Sequence, residues 1–130
     1  MATAHPPGFR LAFDVTNLDA TCGFYKTLAG FEVAVTHRQG QIFESRELTS
    51  PQYPGVRLIP RLAFGKRAAG TSPGTVTSVG LPVNDLPATI RRLSGQVRWV
   101  SQNPEASPDE ARQSVSLLDP DAYQIELYRA

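Results

Sequence analysis

Two stretches of the chain, residues 10–33 and 78–100, carry the same pattern of apolar and polar positions. Aligning Asn17 with Asp85 sets the two stretches 68 residues apart. In each, a short and partly alternating segment precedes apolar residues at i, i+4 and i+7, the spacing of one helix face. These helix residues are Leu18, Cys22 and Tyr25, and then Leu86, Ile90 and Leu93. The pattern predicts a strand followed by an amphipathic helix, present twice.

Residues at the predicted helix ends agree with this interpretation. Asn17 and Asp85 are favourable N-caps, and Gly30 and Gly95 follow the last apolar residue of each helix, as C′ glycines do. Strand-like segments separated by turn-forming residues follow each helix, at 31–38, 41–48 and 56–64, and then at 96–102, 112–119 and 123–129. Each half is therefore predicted to be βαβββ. A single α+β sheet whose helix faces agree by chance is the alternative.

Length and composition narrow the class of protein. The 130 residues predict one domain, 1–130, with a first module at 9–65 and a second at 75–130. Thirteen basic and 12 acidic residues give a net charge of +1, which argues against nucleic acid or an anionic membrane as partner. The lone Cys22 excludes an internal disulfide. Without a signal peptide or an apolar run of membrane-spanning length, the sequence favours a cytoplasmic protein.

Three motifs, VTNLDATCGFYKTLAGFEV from Val15, VNDLPATIRRL from Val83 and DPDAYQIEL from Asp119, together give the chain a family resemblance. It resembles the vicinal oxygen chelate superfamily, which holds glyoxalases, bleomycin-resistance proteins and extradiol dioxygenases. The resemblance implies an α+β fold in which two βαβββ modules form a half-open β-barrel around a cavity. It also implies a homodimer. One departure is Ala122, at a turn where the family motif usually has glycine.

The resemblance also implies where a metal would be held, because family enzymes take ligands from the first and last strands of each module. Those positions fall on Arg10, Ser78 and Glu126, while the segment 56–64 has neither carboxylate nor histidine. A guanidinium stays protonated and cannot bind a metal, and serine is a poor ligand beside imidazole or carboxylate. Only Glu126 matches, so the sequence predicts no metal and no cofactor.

Strand alternation in the family register predicts which side chains line the cavity. The candidate ligand-binding residues are Arg10, Asp14, Ser78, Trp99, Glu126 and Tyr128. Glu126 either pairs with Arg10, which would occupy the cation's place, or lies on a solvated cavity wall. Asp14 could act as a base or orient a ligand, although bonding to a neighbouring strand is commoner. Trp99 could join an aromatic clamp or belong to the core. Glu44, Arg46 and Glu47 are predicted to form an exposed strand face.

We therefore expect a protein of the bleomycin-resistance kind that binds a small molecule without a metal. The net charge gives no support for a cationic ligand, and the ligand could equally be neutral or anionic and met by Arg10. A metal-dependent lyase, isomerase or dioxygenase is the alternative, and it requires at least three fixed ligands. A regulatory or partner-binding domain is a further alternative that nothing in the sequence excludes.

Overall fold

The structure is a computed structural model that describes residues 8–40, 42–63, 79–100, 104 and 111–130. The chain divides into two compact units, residues 1–71 and 72–130. Among the residues that the structure describes, each unit has one four-stranded sheet of mixed direction and one helix. The predicted α+β fold class, with two βαβββ modules, is confirmed. No helix in the described part of the chain is long and apolar enough to cross a membrane.

The first unit follows the predicted order of elements. Its elements are β1 (Phe9–Asp14), α1 (Leu18–Ala29), β2 (Glu32–Gln39), β3 (Phe43–Ser50) and β4 (Tyr53–Ala63). The sheet order is β1-β4-β3-β2, with β1 parallel to β4 and the other pairs antiparallel. The side chain of Asn17 caps α1 by accepting a 3.0 Å hydrogen bond from the Ala20 amide. Gly30 ends the helix with a φ of 72°, as predicted for a C-terminal glycine.

The core of the first unit lies between α1 and one face of its sheet. Phe13 on β1 meets Tyr25 on α1 in an edge-to-face contact, with ring centroids 5.9 Å apart. Phe31 and Tyr53 stack at the same centroid distance, 5.9 Å. Because side chains alternate along β1, the residues on either side of Phe13 point to the face opposite the core, and strand pairing extends that face across the sheet. We call this opposite surface the charged face; it carries Arg10, Asp14, His37, Glu47, Arg57 and Arg61.

The second unit repeats this arrangement with shorter elements. They are β5 (Val79–Val83), α2 (Leu86–Arg92), β6 (Arg98–Trp99), β7 (Ser114–Leu118) and β8 (Gln124–Arg129), in the sheet order β5-β8-β7-β6. Asp85 caps α2 by accepting a 3.0 Å hydrogen bond from the Ala88 amide. The helix ends at the cap residue Leu93, earlier than Gly95 predicts, and Gly95 uses its φ of 73° in the following turn. This turn delays β6, whose described part is two residues long.

The turn between β7 and β8 contains an alanine at a position where the motif described above usually has glycine. Ala122 has a φ of 68°, in the left-handed region that favours glycine. Replacing Ala122 with glycine is expected to stabilise the protein by about 0.5–1 kcal/mol, because relief of the backbone strain exceeds the added entropy of the unfolded chain. Urea denaturation followed by circular dichroism measures the change.

Gly95→Ala is the matched control for that substitution. Gly95 has a similar φ of 73°, and a Cβ built there meets no atom within 4 Å. Only the backbone conformation opposes the added methyl group, so Gly95→Ala is expected to destabilise the protein by about 1 kcal/mol. A shift of the unfolding midpoint in the same direction for both variants would contradict the strain argument.

Candidate functional site

A row of polar side chains crosses the charged face of the first sheet. Arg10 on β1 lies directly opposite Arg57 on β4, and Arg57 lies directly opposite Thr49 on β3. Glu47 is two residues before Thr49 on the same face, and His37 follows on β2. Side chains directly opposite each other have Cβ atoms about 5 Å apart, and diagonal neighbours are still within reach of long side chains. The register of four strands therefore brings one carboxylate among three basic side chains.

Glu47 is the centre of this row. Its side chain is only 9% exposed. One oxygen, Oε1, accepts a 2.7 Å hydrogen bond from Nη1 of Arg57 and lies 3.5 Å from Nη2 of Arg10. The other, Oε2, is 2.6 Å from Nε2 of His37. A buried carboxylate is costly unless it is paired, and these partners supply the pairing from three other strands.

The same contacts keep Glu47 ionised. The hydrogen bond with His37, then the one from Arg57, and the charge of Arg10 lower the pKa of Glu47 below its ordinary value, against the opposing effect of burial. An ionised Glu47 accepts hydrogen bonds only, so Nε2 of His37 is the donor in this contact. In the described part of the chain, no hydrogen-bond partner is present for Nδ1 of His37.

The lowered pKa of Glu47 predicts how the stability of the folded protein changes as the pH falls. The unfolded chain binds this proton more tightly than the folded one, so the stability from Glu47 is fully present above the ordinary pKa of 4.5 and is lost as pH falls through the lower folded value. We expect the urea midpoint of the wild type to fall more steeply than that of Glu47→Gln between about pH 5 and pH 2. Parallel pH profiles for the two proteins would contradict the ionised assignment.

A pocket opens at the end of the sheet where β1 and β4 begin and β3 ends. Its volume is about 340 Å³. Polar and apolar groups contribute almost equally to its wall, and Arg10 and Arg57 are the charged side chains among the described residues that line it. The lining residues are Gly8, Phe9, Arg10, Thr49, Pro54, Gly55, Val56 and Arg57. The pocket is thus lined by both arginines that Glu47 contacts, together with backbone and apolar groups.

The predicted site residues of the first unit have different surroundings. Arg10 lines the pocket, with a side chain that is 64% exposed. Asp14 lies further along β1, where its Oδ1 is 3.2 Å from Nη2 of Arg61 on the neighbouring strand. Among the described residues, the carboxylate that pairs with Arg10 is that of Glu47, which belongs to the same unit as Arg10. The pairing of Arg10 with Glu126, which would join the two units, stays a prediction.

In the second unit, Glu126 and Tyr128 share one face of the sheet with Gly80. Glu126 lies opposite Gly80 on β5, and a Cβ built on Gly80 would be 3.1 Å from Cε1 of Tyr128. Trp99 is opposite Leu117, which is opposite Ile125, so Trp99 lies on the other face of this sheet. The structure brings Glu126 and Tyr128 together and separates them from Trp99. Ser78 lies outside the described residues.

The prediction that Glu44, Arg46 and Glu47 form one exposed strand face is wrong. Glu44 and Glu47 are both buried, and they lie on opposite faces of β3. Arg46 turns toward α1, where its Nη1 is 2.9 Å from Oδ1 of Asp19. Sequence reasoning therefore missed Glu47, His37 and Arg57. The feature of the sequence that could have identified these residues is the predicted hairpin of residues 31–48, because its strand pairing places Glu47 diagonally across from His37.

Within the described ranges, no group of three His, Cys, Asp or Glu side chains comes together as a metal site would need. His37 and Glu47 are two such donors, one fewer than the three protein ligands usual at a catalytic zinc.

Solved structures resemble the chain over most of its length, whereas no family model and no curated protein matches it. Leishmania major glyoxalase I, described as trypanothione-dependent, matches with a TM-score of 0.74 and 18% identity over 93% of this chain and 84% of its own. TnmS3, an antibiotic-binding protein from Streptomyces sp. CB03234, matches with a TM-score of 0.67 and 18% identity over 99% and 98%. FosX, a fosfomycin resistance protein from Mesorhizobium loti, matches with a TM-score of 0.67 and 12% identity over 93% and 89%.

The chain has the glyoxalase/bleomycin-resistance fold of these solved structures. The predicted resemblance is thereby confirmed at the level of the fold. Proteins of one fold carry out different functions, so ligand and chemistry must be argued from the site itself.

Proposed function

We propose that the protein binds a small molecule in the pocket at the end of the first sheet, without a metal. The observation that carries the proposal is the pocket of about 340 Å³, whose wall combines Arg10 and Arg57 with backbone and apolar groups. Small-molecule sites are typically concave, about 300–1,000 Å³ in volume, and combine apolar lining with a few fixed polar groups. The neighbour TnmS3, an antibiotic-binding protein, is a precedent for small-molecule binding on the same fold.

A pocket-filling substitution tests the proposal without knowledge of the ligand. Thr49 lines the pocket, and tryptophan at this strand position would occupy much of its volume. Thr36 lies on β2 on the opposite face of the same sheet and is exposed, so Thr36→Trp is the matched control. We expect compounds from a thermal-shift screen of neutral, cationic and anionic molecules to stabilise the wild type and Thr36→Trp, but not Thr49→Trp. A screen without hits, or hits that Thr49→Trp retains, would contradict the proposed pocket.

A metal-dependent enzyme is the second candidate function, and the position of one carboxylate residue favours it. Glu126, the one residue that matches a family ligand position, lies on β8 opposite Gly80 and half-buried. Metal content is measured after incubation with zinc, manganese and iron(II) followed by desalting. About one retained ion per chain that Glu126→Gln releases would favour the enzyme over metal-free binding.

The homodimer and the cytoplasmic location also remain proposals, and sedimentation of the purified protein tests the first of them.

A further inference from the structure

We infer that the ligand of this pocket carries an oxyanion, a carboxylate or a phosphate-type group, and that Arg10 and Arg57 hold it. The inference rests on the proposed function, because it names the chemical class of ligand for the same pocket. Arg10, Arg57 and Thr49 line this pocket, and a single carboxylate, that of Glu47, pairs with both guanidinium groups.

The two arginines lie close enough for their positive charges to repel each other, so their arrangement is unfavourable unless an anion is nearby. Arg10 and Arg57 are directly opposite each other on the adjacent strands β1 and β4. Like charges at such positions destabilise a sheet. Glu47 approaches both, at 2.7 Å from Arg57 and 3.5 Å from Arg10, and it neutralises only one of the two positive charges. One positive charge remains at the pocket, and a bound oxyanion would balance it.

The two guanidinium groups also keep hydrogen-bond donors available. Each has five N–H donors and no acceptor. Arg57 uses Nη1 on Glu47, and no hydrogen bond from the Arg10 guanidinium is present in the part of the chain that the structure describes. The side chains are 40% and 64% exposed, so both can be reached from solution. The hydroxyl of Thr49, opposite Arg57, adds another donor at the pocket.

Other carboxylates of the unit are engaged elsewhere. Asp14 is 3.2 Å from Arg61, and Glu32, which lies opposite Thr49, is 3.5 Å from Lys26. Glu47 holds Arg57 in place through a 2.7 Å hydrogen bond and is itself ionised. We therefore assign Glu47 a positioning role, while Arg10 and Arg57 contact the anion. A guanidinium group held in place, as that of Arg57 is, loses less freedom when it binds a carboxylate or phosphate oxygen pair.

Three probes with one aromatic ring test the inference: benzoate, phenylphosphonate and the neutral benzyl alcohol. Each is titrated into ¹⁵N-labelled protein at low salt, and amide shifts give the dissociation constants. We expect at least one anion to bind more tightly than benzyl alcohol and to shift the amides of the pocket. Loss of a charged hydrogen bond typically costs about tenfold or more in affinity, so Arg10→Gln and Arg57→Gln should each weaken that anion by about this factor. Preference between benzoate and phenylphosphonate distinguishes the planar from the tetrahedral group.

Arg61→Gln is the matched control, since Arg61 lies on the same strand and face as Arg57 but does not line the pocket. It should leave anion affinity within about twofold of wild type. Arg57→Lys keeps the charge if Arg57→Gln fails to fold, and it should bind with an intermediate affinity. Equal binding of benzyl alcohol and the anions, or equal weakening by Arg61→Gln, would overturn the inference. Screen hits that are all neutral or cationic and that Thr49→Trp abolishes would overturn it while leaving the proposed function intact.

Discussion

Replacing Glu47 with alanine is expected to lower the free energy of unfolding by about 2–3 kcal/mol. The carboxylate is buried and makes close contacts with His37 at 2.6 Å and Arg57 at 2.7 Å. Hydrogen bonds to charged groups contribute about 1.5–3 kcal/mol each, and removing a buried partner leaves its donors unpaired. The half-exposed arginine regains water, which keeps the loss below the sum of both bonds. Urea denaturation followed by circular dichroism measures the change.

Two further variants separate burial from charge. Glu47→Gln preserves the shape and one acceptor, so it should lose less stability than Glu47→Ala. Glu32→Ala removes a carboxylate from the same sheet whose side chain is 69% exposed and lies 3.5 Å from Lys26. An exposed pair of this kind contributes about 0–1 kcal/mol, so little change is expected. Equal losses from Glu32→Ala and Glu47→Ala would show that the row around Glu47 has no special contribution.

Replacing Asp119 with alanine is expected to cost about 3 kcal/mol. Asp119 follows β7 and is 1% exposed. Its Oδ1 accepts 2.9 Å hydrogen bonds from the amides of Asp121 and Tyr123, which shape the turn before β8. Alanine would leave both N–H groups without this acceptor, and an unsatisfied buried donor costs about 1–3 kcal/mol. Thermal and urea unfolding of the variant give the measurement.

Asp119→Asn is the control for this substitution because its side-chain oxygen can accept the same two hydrogen bonds. We expect it to retain more than half of the stability that alanine loses. Loss of the same size in both variants would mean that the negative charge, and not the acceptor geometry, stabilises the turn. An unchanged midpoint for Asp119→Ala would contradict the role of the turn altogether.

The helices could be predicted because their signals are local. Asn17 and Gly30 lie within one turn of the helix ends that they define, and the apolar spacing of α1 needs no knowledge of the rest of the fold. The length of β6 could not be predicted, since the turn at Gly95 takes up residues that look strand-like in sequence. A pattern of alternation identifies a strand better than it fixes the residues at its ends.

The charged face was harder to predict because it depends on pairing between distant strands. Arg10, Glu47 and Arg57 meet only when three strands adopt one register, and a shift by one residue would move Glu47 to the opposite face. The same reason explains Trp99, whose face follows from its pairing with Leu117. Charge and alternation in the sequence indicated a strand at 41–48, but gave no sign that Glu47 was buried.

Gly80 has a consequence for how this protein varies in evolution. Because a Cβ at this position would be 3.1 Å from the ring of Tyr128, the two residues share one small volume across β5 and β8. Tyr128 is 39% exposed, so its ring can swing outward only by giving up that contact. In sequences descended from the same ancestor, we expect residues 80 and 128 to covary, with an aromatic ring at 128 accompanying glycine at 80 and a smaller residue at 128 accompanying any larger one.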